Sequence, residues 1–171
     1  KKKAKMNSLR GTIYRGGASM GSAVAVMEVP PVGRINVARV ILGGIVAGLV
    51  INISEFVLNQ VVLGADMVES LARMNLPPVG GAAIPIFIIL GFLDGFVLVW
   101  LYAAIRPRFG AGPKTAVIAA LAAWFFVSFN VVVSMHVLGM YHRRLLAIST
   151  TWELGQSIVA ALAGGALYTE K

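Results

Sequence analysis

The chain alternates between long apolar runs and short polar breaks. Four runs stand out, at about 37–63, 83–105, 115–138 and 145–168. Each reaches the roughly 20 residues that a helix needs to cross a bilayer. The breaks between them are short enough to force neighbouring spans antiparallel, which predicts an all-α protein, a four-transmembrane-helix up-down bundle. Pro85 falls in the first turn of the second run, where its missing N–H costs little. In the first break, Asp66-Met67-Val68-Glu69 has the spacing of a capping box, predicting a short interfacial helix from Asp66 to Met74 ahead of Pro77 and Pro78. The second break is the basic turn Arg106–Lys114, and the third is Gly139–Arg144.

Polar positions inside the apolar runs are few and patterned. In the first run Gly44, Gly48, Asn52, Glu55 and Asn59 fall in one helical stripe roughly 80° wide, on a helix otherwise built of Ile, Val, Leu and Phe. Small residues let another helix come close, and amides and a carboxyl placed among them need partners that lipid cannot supply. The other runs offer matching faces. Gly91 and Gly95 flank Asp94; Ala119, Ala123, Val127, Asn130 and Ser134 form a stripe in the third; Ser149, Glu153, Gln156, Ala160 and Gly164 form one in the fourth. Glu55, Asp94 and Glu153 all lie roughly 10–15 Å below the outer boundary at 1.5 Å per residue. No Lys or Arg lies at comparable depth. The expectation is a polar layer of Glu55, Asp94, Glu153, Asn52, Asn59, Asn130 and Gln156 in the outer half. Below it, Gly44, Gly48, Gly91 and Gly95 serve helix packing.

An ionised carboxylate in hydrocarbon costs several kcal/mol, and three together without a buried cation call for protonation or a bound cation. Two readings follow. In one, the layer binds or moves protons, cations or a small cationic solute. In the other, it only holds the helices together in a structural or accessory membrane subunit. For Asn130 and Ser134 alone the structural role is favoured. His136 and His142 do not share a helical face, so they are read as separate interfacial histidines, and no metal site or cofactor is expected. Neither a phosphate loop, a zinc-protease helix nor a serine-nucleophile context occurs, and no catalytic constellation is found. The Gly44/Gly48 pair is compatible with packing inside the bundle or between copies, so a homo-oligomer stays open.

Composition sharpens this reading. The 171 residues are 58% hydrophobic and only 13% charged, against roughly 25% charged in soluble domains, and the mean hydropathy is +0.82. The net charge of +8 is confined to ends and loops, which suits a lipid bilayer and its anionic lipids rather than nucleic acid. With the N-terminus inside, twelve Lys and Arg lie on the cytoplasmic side and three (Arg73, Arg143, Arg144) on the other, which places both termini in the cytoplasm. Residues 1–33 read as a basic tail of disorder-prone composition, with 1–26 as a leader outside the native chain, and residues 34–171 as the membrane domain. Without that leader the ratio is six to three, and the orientation stands. Trp100, Tyr102, Tyr141 and Tyr168 suit interfacial belts. There are no cysteines, which removes disulfides and thiolate chemistry.

Two stretches carry a family resemblance: Trp100 through Ala116, with Arg106-Pro107-Arg108 at its centre, and Asn52 through Asn59. They resemble uncharacterised bacterial four-span membrane proteins of unknown function. The resemblance implies a four-helix fold in the bacterial inner membrane and supplies no activity or site residues.

Overall fold

The computed structural model describes residues 34–170; the basic tail over 1–33, including the suggested leader over 1–26, lies outside the described residues. All regular structure among the described residues is helical, and four helices are long and apolar enough to cross a membrane. Span one is Val37–Val62, span two Ala83–Phe109, span three Pro113–Val137 and span four Arg143–Ala166. This is a multi-pass membrane protein. Asn36 caps span one, its side-chain oxygen accepting the Arg39 N–H at 3.4 Å. Span two continues past Ile105 through Pro107 to Phe109 and stops at Gly110, whose φ of 83° an L side chain rarely adopts.

The interfacial helix is Gly64–Arg73, and it begins two residues before the expected cap. Asp66 therefore does not cap it. Its carboxyl lies in the first turn and reaches across to His142 Nε2 at 3.3 Å and Arg144 Nη1 at 3.5 Å.

Spans one and two pack backbone against backbone. Gly44 and Gly48 lie under Phe96 and Phe92 of span two, Gly95 fits against the main chain of Gly44 and Gly48, and Gly91 receives the side chain of Asn52. Span one meets span four in the same way at Gly43 and Gly164, where a Cβ on Gly43 would stand 2.5 Å from the Gly164 carbonyl oxygen. Ala47, Val99, Ala119, Ala120 and Ala160 complete a core that water does not reach. Small side chains are what allow this, because in lipid the gain comes from close packing rather than from hydrophobic exclusion.

One end of the bundle, the near end, gathers the start of span one and the close of spans two and four. Tyr168 Oη accepts the Asn36 N–H at 3.3 Å, and Tyr102 Oη accepts the Gly112 N–H at 3.2 Å. The two tyrosine rings meet edge to face with centroids 6.0 Å apart, and the Arg106 guanidinium lies 5.4 Å from the Tyr168 ring centroid. Tyr102 and Tyr168 are therefore buried structural groups rather than belt residues, whereas Trp100 is exposed.

Toward the far end, spans two and three part. Span two meets span three through Pro113–Ala123, while the rest of span three packs on span four. Residues Ile84 through Leu90 of span two are exposed all the way round the helix.

Candidate functional site

Two wide turns shape the polar region. Residues Val57–Val62 of span one and Trp124–Phe129 of span three are π-helical. The Leu63 N–H accordingly reaches the carbonyl of Leu58, five residues back, at 2.8 Å. Such turns insert one residue into an α-helix and rotate everything beyond by roughly 100°.

Glu55 is the centre of the polar region. Its Oε2 accepts from Asn59 Nδ2 at 2.8 Å, and its Oε1 accepts from Gln156 Nε2 at 2.8 Å. Each carboxyl oxygen thus receives an amide N–H, one from its own helix and one from span four. Beside it, Trp152 Nε1 donates to Ser54 Oγ at 2.8 Å, a second polar link between the same spans. Gln156 Oε1 is buried and has no hydrogen-bond partner among the described residues.

Asp94 and Glu153 both lie close enough to Glu55 to feel its charge. Glu153 is half-buried and is approached by the Ser128 hydroxyl, while Asp94 is exposed on the outside of the single chain. Among the described residues, no salt bridge reaches any of these three acids. Nor do any three His, Asp or Glu side chains stand close enough together to hold a metal ion.

Asn52 and Asn130 do not join the hydrogen bonds around Glu55. Asn52 donates to the Gly48 carbonyl at 2.8 Å and packs on Gly91, so it serves the contact between spans one and two. Asn130 is exposed and donates to the Phe125 carbonyl at 2.6 Å. The π-turn just before it is the reason. The stripe from Ala119 and Ala123 cannot continue straight to Asn130 once a residue is inserted, and Ser128 comes round in its place. Ser54, Ser128 and Trp152 are the polar neighbours that spacing missed, and only knowledge of the π-turn would have revealed Ser128.

An open groove of about 870 Å³ runs between spans one and four, lined by Val50, Ile53, Thr151, Trp152, Val159 and Gln156. Its wall is mainly apolar, and Gln156 brings one polar side chain of the Glu55 region into it. Neither histidine bonds to Glu55, Asp94 or Glu153 among the described residues. His136 Nδ1 stands 2.7 Å from the Tyr141 carbonyl oxygen, and His142 faces Asp66. No family model, curated protein or solved structure matches this chain, so the roles of these residues rest on their geometry and chemistry.

Proposed function

We propose that this protein is a carrier or binding protein of the bacterial inner membrane, and that its Glu55-centred layer takes up protons and a small organic cation in exchange for one another. The observation that carries this reading is that Glu55, Asp94 and Glu153 lie on three spans that pack together, with no basic side chain paired to any of them among the described residues. Two amide donors already serve Glu55. Asp94 has no such support and Glu153 has only the Ser128 hydroxyl beside it, and in a membrane their charge calls for a proton or a bound cation. Carboxyls too dispersed to enclose a metal ion suit a larger, diffuse cation such as an alkylammonium group. The free Gln156 Oε1 adds an acceptor beside them. A second copy of the chain would shield the outward-facing Asp94 from lipid, which brings a homo-oligomer into the same reading.

The test is proton release. Adding tetraethylammonium chloride to the purified protein in weakly buffered detergent near neutral pH should acidify the solution beyond an equal addition of sodium chloride. Equal responses to the two salts would sink the exchange. The bonds from Asn59 and Gln156 to Glu55 favour one alternative, a structural or accessory subunit in which Glu55 joins spans one and four.

Orientation belongs to this proposal too. The Lys and Arg distribution puts both termini in the cytoplasm, so a reporter fused after Lys171 should behave as cytoplasmic. Strong periplasmic activity of that fusion would reverse the bundle in the membrane.

A further inference from the structure

The chain has two histidines, and both act on the same short connection at the far end, between spans three and four. His136, in the last turn of span three, bonds through Nδ1 to the Tyr141 carbonyl and folds the connection back on its own helix. His142 opens span four and points Nε2 at Asp66 of the interfacial helix. Asp66 is the buried partner, its side chain 11% exposed, whereas the Arg144 that shares its oxygen is 63% exposed. Apolar contacts press the same surfaces together. Leu58, Leu63 and Leu145 are fully buried, with Met67, Tyr141, Ile148 and Trp152 packed around them. Tyr141 links this assembly to the polar region: burial, then the charge of Glu153, pushes its hydroxyl above the ordinary tyrosine value.

We propose that the His142–Asp66 contact is an acid-tightened clasp, which holds the interfacial helix Gly64–Arg73 against the connection 138–142.

The sign follows from the groups that surround His142. A histidine ordinarily changes charge near neutral pH, and a carboxylate ordinarily does so well below that. Acidification therefore places an imidazolium opposite a carboxylate. Arg143 and Arg144 oppose this charge, but both are exposed and screened by solvent, whereas Asp66 is largely buried. Glu69 and Arg73 of the interfacial helix pair with each other on its exposed face. His136 meets the Tyr141 carbonyl through Nδ1 and donates to it whenever that nitrogen carries the proton. Protonation thus closes the clasp, and raising the pH loosens it.

Hydrogen exchange on the full chain in detergent reads this directly. After correction for intrinsic rates, backbone amides of residues 64–73 should exchange about fivefold more slowly at about pH 5.5 than at about pH 7.5. His142→Gln should abolish that difference, and His142→Lys, with a fixed charge, should give the slow rate at both values. Asp66→Asn should match His142→Gln; since Asp66 is buried and that variant carries a folding risk, the two His142 variants decide the matter alone. A pH difference that persists in His142→Gln, or no difference in the wild type, would overturn the clasp.

Discussion

Replacing Gly48 by leucine is expected to destabilise the bundle by about 3 kcal/mol, the upper range for forcing volume into a packed core. Gly48 lies under Phe92, and a Cβ there would stand 2.8 Å from the Phe92 Cα. A side-chain end can rotate away, but a Cα moves only with its helix. Gly95 has the reverse problem, since its own missing side chain faces the main chain of Gly44 and Gly48. Spans one and two would therefore have to separate as rigid bodies, losing contact along their length. Thermal unfolding in detergent should fall by about 8 °C for a chain of this size. Gly48→Ala should show a smaller loss of the same sign. Gly155 provides the control, because it is helical, exposed, and has open space where its Cβ would be. Gly155→Ala should be neutral or slightly stabilising, since alanine is favoured over glycine in a helix by up to about 1 kcal/mol. If Gly48→Leu unfolds with the wild type, the span-one glycines do not pack against span two.

The contrast between Gly48 and Asn130 shows what spacing can and cannot predict. Gly44, Gly48, Asn52 and Glu55 lie on one uninterrupted α-helix, Val37–Phe56, so their angles follow from sequence separation. A run of small residues facing similar runs on spans two and four then has one economical arrangement, and the four-span bundle was legible. Asn130 lies beyond a π-turn, where separation no longer gives the angle. That turn has no signature in the residues Trp124 to Phe129 that an ordinary apolar helix would lack. The burial of Tyr102 and Tyr168 was hidden for another reason. Their partners, Gly112 and Asn36, come from other parts of the chain and meet them only once the bundle has formed. The same holds for Asp66, whose spacing to Glu69 fitted a cap while its carboxyl was committed to His142 and Arg144. Local pattern describes single helices well, and long-range polar pairing far less.

Glu55→Gln should leave the protein folded but remove the proton release caused by an organic cation. The carboxyl accepts two amide N–H groups, from Asn59 and Gln156. The substituted amide has one oxygen to accept with, and its NH2 would confront the other donor. Gln156 can resolve that conflict by turning its amide over, because its Oε1 is free to become the acceptor. The exchange replaces a charge-assisted hydrogen bond by a neutral one, a loss of about 1 kcal/mol. Removing the negative charge also relieves Asp94 and Glu153, which both feel Glu55, so the net change in stability should be small. Glu55→Leu is different. It strands the Gln156 amide in the membrane without an acceptor, at about 1–3 kcal/mol, while Asn59 Nδ2 keeps the backbone carbonyl of residue 55, and the unfolding temperature should fall clearly. Infrared difference spectra of the carboxyl band, collected with and without tetraethylammonium, separate the two roles. In the proposed exchanger, the wild type loses a protonated carboxyl signal as the cation binds, and Glu55→Gln gives neither that loss nor the acidification. Were Glu55 only a tie between spans one and four, Glu55→Gln would respond to the cation as the wild type does, and the Glu55→Leu defect would be confined to stability.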